Sequence, residues 1–98
     1  MIGKINIIGH IGDSFVDGAG IAHVGTNLLS VIDQAASFPE AKEFNVFIDS
    51  PGGYVDVGDS IYEYLTTLKK KGIVINTIQT GLVGSIATKI FLVGTKWL

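Results

Sequence analysis

Three short, almost wholly apolar runs, each followed by a glycine-bearing turn and then a stretch of helical periodicity, leave this chain very few folds to adopt. The runs are Ile5-Asn6-Ile7-Ile8-Gly9-His10-Ile11, Phe44-Asn45-Val46-Phe47-Ile48-Asp49 and Ile73 to Thr80. Strands this apolar want cover on both faces, which helices between the strands of a parallel sheet supply. After the first run, a loop from Gly12 to Gly20 leads into Ala22 to Phe38. There Val24, Leu28, Val31, Ile32 and Ala35 share one helical face, and Pro39 ends the helix. The second helix runs from about Val55 to Lys70, with Val57, Ile61, Tyr64, Leu65 and Leu68 inward. Asp56 and Asp59 lie in its first turn and Lys69, Lys70 and Lys71 at its end, as the helix dipole prefers. Gly81 to Gly84 reads as a tight turn and Ser85 to Leu92 as a short third helix. The expectation is an α/β fold of repeated β-α-β units, with a mainly parallel sheet and right-handed crossovers.

Composition narrows the function classes. The chain has 98 residues, 47% of them hydrophobic and 16% charged, with a mean hydropathy of +0.46. A self-sufficient domain of this size normally covers its large relative surface with charge. The expectation is therefore a single domain over residues 1–98 that is either one subunit of an oligomer or a truncated part of a larger domain. The unprotected ending on Trp97-Leu98 favours truncation. A net charge of -2 argues against nucleic acid or an anionic membrane as the main partner. With no cysteine, a disulfide framework, a thiolate metal site and a cysteine nucleophile are excluded. No apolar run approaches the ~20 residues that span a bilayer.

In parallel sheets the chemistry gathers at the carboxyl ends of the strands, and here glycines cluster at all three ends. Gly81-Leu82-Val83-Gly84-Ser85-Ile86-Ala87 puts a serine where a strand becomes a helix. Three readings are open for it. Ser85 is a helix N-cap; or it is a nucleophile surrounded by the first free N–H groups of the helix, similar in mechanics to a nucleophile elbow; or the turn is a loosened dinucleotide fingerprint. The last lacks the first Gly-x-Gly pair and a following acidic residue. In Ser50-Pro51-Gly52-Gly53, two adjacent glycines form a sharp turn, let a backbone pass close to a ligand and expose consecutive N–H groups. If both turns face one crevice, the N–H groups of Gly53 and Ile86 flank a carbonyl attacked by Ser85.

Phe47-Ile48-Asp49-Ser50-Pro51-Gly52-Gly53-Tyr54-Val55, then Gly58 and Ser60-Ile61-Tyr62, then Gly81-x-x-Gly84-Ser85-Ile86-Ala87, resembles the proteolytic subunit of the Clp protease family. More particularly, it is similar to the Clp-like head-maturation proteases of tailed phages and prophages, whose opening strand is like Ile7 to Gly12. The resemblance is loose before Phe44 and tight from Val46 to Gly94. It implies a crotonase-like fold and a serine endopeptidase with Ser85 as nucleophile, Gly53 and Ile86 as oxyanion-hole donors, and Gly52, Gly53 and Tyr54 along the substrate. It further implies no cofactor or metal, a homo-oligomeric ring, a bacterial or infected-host cytoplasm, and a capsid, scaffold or portal polypeptide as substrate. Gly84 stands where the family commonly has alanine. The family's catalytic His and Asp lie downstream of the nucleophile helix, beyond Leu98, so the 98 residues alone are expected to be inactive. A crotonase-type acyl-CoA enzyme and a non-catalytic assembly module are the alternatives.

A serine needs a base to attack at neutral pH, and the candidates within the chain are His10, His23 and Lys89. His10 ends the first strand, and a polar strand-end role is expected for it. His23 falls in the first turn of the expected first helix. Lys89, four residues after Ser85, shares its helical face but must shed its proton in an apolar pocket to serve. Lys69-Lys70-Lys71 reads as a solvated helix end, and Tyr54, Tyr62 and Tyr64 as subunit contacts. Asp13 and Asp17 sit among glycines at a spacing that fits no standard calcium loop.

Overall fold

A computed structural model describes all 98 residues. The elements run β1 (Ile2–Ile11), β2 (Phe15–Val16), β3 (Ala22–His23), β4 (Gly25–Thr26), α1 (Leu28–Ala36), β5 (Glu43–Gly53), α2 (Val55–Lys70), β6 (Val74–Val83), α3 (Ile86–Phe91) and β7 (Lys96–Trp97). Five strands form one sheet in the order β4-β1-β5-β6-β7, and every pairing in it is parallel. The remaining two, β2 and β3, pair as a separate antiparallel hairpin. The α/β reading with a mainly parallel sheet is correct.

The helices cover one face of the sheet. Register places Ile5 beside Val46 beside Thr77, and Ile7 beside Ile48, and all of these are fully buried. Against them pack Val31 and Ala35 of α1, Ile61 and Leu65 of α2, and Ala87 and Ile90 of α3, in a single core. The opposite face shares Lys4, Asn45 and Asn76 in one row and Asn6 and Phe47 in the next. Asn76 donates to Glu43 Oε2 and Asn45 Oδ1 there. Cover on both faces is therefore a mistaken expectation. One asparagine in each strand already marks a period of two that the apolar count obscures.

The element limits differ from the sequence reading for local reasons. The first helix starts at Leu28, not Ala22, because Asn27 caps it by accepting the Ser30 N–H at 2.9 Å. Upstream, Ala22 to Thr26 are extended, and Val24 is exposed although it fits the helical period. The Gly12–Gly20 loop contains β2 and is pinned by Asp17. Its Oδ1 accepts from the N–H groups of Ala19 and Ile21, and its Oδ2 meets His23 Nε2 at 2.9 Å. Ser50 to Gly53 is not a sharp turn but the extended end of β5, and Gly81 to Val83 likewise prolongs β6. Register shifts after Ile8 in β1 and after Ile48 in β5 lift both strand ends out of the regular ladder. At β1's free edge the side-chain amide of Gln34 replaces a neighbouring strand, accepting from Asn6 N and donating to Asn6 O. The short β7 was not foreseen. It pairs with β6 through Asn76 and Thr77, and Thr77 Oγ1 donates to Phe91 O to tie in α3.

Candidate active site

Gly84 and Ser85 join the end of β6 to α3, and Ser85 is the one residue other than glycine with a positive φ, at 53° with ψ -130°. That combination costs an L-residue on the order of 1–3 kcal/mol, and such strain concentrates where a side chain must be held in a special direction. Ser85 occupies the N-cap position, yet its hydroxyl makes no capping bond, and the residue is exposed. A serine that served only as a cap would use its hydroxyl on the helix N–H groups. Backbone bonds from Ala87 N to Gly84 O and from Thr88 N to Ser85 O, both 3.0 Å, begin the helix without it. Ile86, one residue earlier, lies too near the start to have an intrahelical acceptor, so its N–H opens toward the serine end.

The end of β5 lies against this serine. A Cβ built on Gly52, whose φ is +103°, would stand 2.6 Å from Ser85 Cβ and 3.2 Å from Ser85 Oγ. Only glycine permits that approach. Gly84 N donates to Ser50 O, linking the two strand ends. Tyr54 N donates to Ile11 O at 2.9 Å. In extended backbone the preceding N–H, on Gly53, then faces the other edge, the one where Ser85 stands. Gly53 itself is pressed so closely on the Ile11 backbone that no side chain fits. The three strand-end features that the sequence suggested, Gly52-Gly53, Ser85 and Ile86, are thus brought together, with Tyr54 exposed beside them.

Two supporting residues escaped the sequence reading. Ser50 is fully buried, donates its hydroxyl to Gly9 O at 2.5 Å and accepts from Gly52 N at 3.0 Å. It fixes the glycine that abuts Ser85. Asp49 Oδ1 accepts from Leu82 N at 2.9 Å, and its carboxyl presses on Gly81. That carboxylate answers the dinucleotide reading, because it occupies the Leu82 amide within the Gly81–Gly84 segment that a phosphate would need and repels a second negative charge. Gly58 admits Ile86, whose side chain packs directly on it and sets α3 against α2.

None of the three in-chain base candidates touches Ser85. The His10 ring lies edge-on between Phe15 and Tyr54, at 5.1 and 5.2 Å between centroids. His23, in β3 rather than a helix, stacks on Phe15 and bonds Asp17. Lys89 Nζ pairs with Asp59 at 2.8 Å and stands 4.8 Å above the Tyr62 ring. The hydrogen bond to Asp59 raises its pKa above the ordinary lysine value, so it stays protonated and cannot act as base. Asp13 accepts from Asn27 Nδ2, which, with the Asp17 bonds, shows both loop carboxylates engaged in holding the hairpin. A cleft of about 200 Å³ lies elsewhere, among Phe38, Pro39, Phe44, Tyr64, Leu68 and Ile73 near the starting ends of β5 and β6. Its lining carries no nucleophile paired to a base.

The family model for Clp protease matches residues 18–97. The chain belongs to the Clp protease family. Among solved structures, ClpP1 from Listeria monocytogenes shares 22% identity at a TM-score of 0.65. An asparagine-to-aspartate mutant of that protein shares 23% at 0.67. Each match covers 93% of this chain and 46% of the other, so the chain spans about half the length of these Clp proteases. No curated protein matches. The likeness to the solved structures carries the fold.

Proposed function

We infer that the protein containing these residues is a serine endopeptidase of the Clp type. The observation that carries the reading is Ser85: strained at φ 53°, exposed, free of any capping bond, and set against Gly52. In this scheme Ser85 Oγ attacks the carbonyl carbon of an extended polypeptide laid along Gly52, Gly53 and Tyr54. The Gly53 and Ile86 N–H groups receive the oxyanion. The hydroxyl proton passes to a histidine, oriented by an aspartate, from sequence outside residues 1–98, and then to the departing amine. Water releases the acyl group from Ser85. The 98 residues by themselves bring no base to the serine and are inactive in this reading. Likeness to phage head-maturation proteases gives the substrate as a capsid, scaffold or portal polypeptide, cut inside a homo-oligomeric ring in the cytoplasm. The abundant exposed apolar residues, Leu29, Leu82 and Leu92 among them, suit such subunit contacts.

The test is fluorophosphonate labelling of the complete protein, with the modified residue located by mass spectrometry. Label on Ser85, lost together with peptide cleavage in Ser85→Ala, is expected. Cleavage retained by Ser85→Ala overturns the assignment. Enoyl-CoA turnover that survives the same substitution would transfer the site to acyl-CoA chemistry, where paired N–H donors also serve.

A further inference from the structure

A residue at Ser85's φ of 53° stays there only while the chain on either side of it is held. On the strand side the hold is the Gly84 N–H, which donates to Ser50 O at 3.0 Å. On the helix side it is Ile86, whose side chain rests on Gly58 of α2. Gly58 is buried inside that helix, and its φ is not positive, so no backbone conformation calls for glycine there. Glycine weakens a helix interior relative to alanine. Space is the reason for it. A methyl group added to Gly58 would overlap Ile86 Cγ1 and stand 3.0 Å from Cγ2 and 3.2 Å from Cβ. Both γ carbons and the Cβ of this stiff, β-branched side chain are engaged, so no rotation clears the methyl group and Ile86 itself must move. The same glycine reaches the other half of the site. Gly58 N donates to Tyr54 O at 3.0 Å, closing the first turn of α2 directly after Gly53. One helical turn therefore stands between the end of β5 and the residue that follows the serine. The second tie between α2 and α3, Lys89 with Asp59, is exposed and lies a turn further along α3, so it holds Ile86 weakly.

We propose that Gly58 is a positioning residue of the protease site: the gap it leaves in α2 seats Ile86, and the seated Ile86 holds Ser85 and the Ile86 N–H at their working distance from Gly53. The proposal rests on the Clp-type reading and deepens it by naming what fixes the spacing of the two oxyanion donors. Gly58 meets no substrate in this scheme and acts only through Ile86.

The experiment uses the complete protein with Gly58→Ala, with Ile86→Ala, and with both. Circular dichroism follows folding, and fluorophosphonate counts the Ser85 residues that can be labelled, so that every rate is expressed per labelled site. The readouts are kcat and KM for a fluorogenic peptide that the unaltered protein cleaves, and the inhibition constant of the aldehyde of the same sequence. Ser85 Oγ adds to the aldehyde carbon, and the resulting oxygen needs the two N–H groups. Gly58→Ala is expected to lower kcat about 10–100-fold and to weaken the aldehyde by a similar factor, with KM unchanged, as displacement of one oxyanion donor does. A merely structural role would reduce the number of labelled sites and leave kcat per site and the aldehyde constant as they were. In Ile86→Ala the side chain that meets the methyl group is gone, so adding Gly58→Ala there should change kcat less than about threefold. Unchanged kcat and aldehyde affinity in Gly58→Ala overturn the proposal while the Clp-type reading stands, and so does a loss that persists in full beside Ile86→Ala. Should Gly58→Ala not fold, Ile86→Ala decides, because it keeps the N–H and removes the seat. A kcat within about twofold of the unaltered protein then overturns the proposal, and a larger loss at unchanged KM supports it. If Ser85 of the unaltered protein is not labelled at all, the Clp-type reading fails and the positioning role falls with it.

Discussion

Replacing Gly52 by alanine isolates what the close approach of β5 to Ser85 is worth. The added methyl group meets Ser85 Cβ at 2.6 Å and Gly84 O at 3.0 Å, where ordinary contact begins near 3.4 Å. Closing that gap of about 0.8 Å requires Ser85 or the β5 end to move, and both are held by hydrogen bonds: Thr88 N to Ser85 O, Gly84 N to Ser50 O and Gly52 N to Ser50 Oγ. A φ of +103° adds a backbone cost on the order of 1–3 kcal/mol for any L-residue. Displacement approaching 1 Å at a reacting group costs about 10²-fold in rate. The expectation for Gly52→Ala in the complete protein is a ~100-fold slower fluorophosphonate labelling of Ser85, with stability lower by about 1–3 kcal/mol in a urea titration. Gly84→Ala is the control. Its φ is not positive, and its added methyl group meets nothing closer than Pro51 O at 3.2 Å, so near-normal labelling and stability are expected. Equal labelling rates for Gly52→Ala and the unaltered protein would refute the claim that the two strand ends form one site.

Ser85→Gly should abolish labelling yet raise stability by about 1 kcal/mol, because glycine accepts the φ of 53° without strain and no hydrogen bond of the hydroxyl is lost. Thermal melting checks it, and a destabilised variant would contradict the strain. Ser50→Ala leaves Gly9 O and Gly52 N unpaired in the interior and should cost about 2–3 kcal/mol by denaturant titration. Lys89→Met should leave the rate of Ser85 labelling unaltered, since the lysine is charged and engaged with Asp59; a large loss would revive a serine–lysine dyad. The hairpin should loosen in acid. Its His23 hydrogen bond, and after it the Ile21 amide, lower the pKa of Asp17 below 3.8. A depressed folded pKa contributes stability that is present above the unfolded value and lost as pH falls through the folded one. Chemical shifts of the Ala19 and Ile21 amides should therefore hold steady above about pH 4 and move below it. Movement near neutral pH instead would dissociate the hairpin from Asp17.

The sequence alone determined the order of the three long strands and three helices, the parallel sheet, the family and the residues on which the chemistry was expected. Those properties are local or short in range: apolar runs with glycine ends, the periodicity of α2, and Ser-Pro-Gly-Gly separated from Gly-Ser by one helix and one strand. Tertiary structure alone decided the rest. Asn6, Asn45 and Asn76 became one polar face only when register set their strands side by side. Asn27 started α1 six residues later than the helical period suggested, since one capping bond outweighs a single well-spaced valine. Ser50 and Asp49 gained their roles from partners 41 and 33 residues distant, a separation no motif encodes. Lys89 was a candidate base by spacing and lost that role to Asp59 on a neighbouring helix. The strain at Ser85 and its contact with Gly52 arise where two strand ends leave the ladder together, because through-space packing, not sequence spacing, fixes how closely two backbones approach.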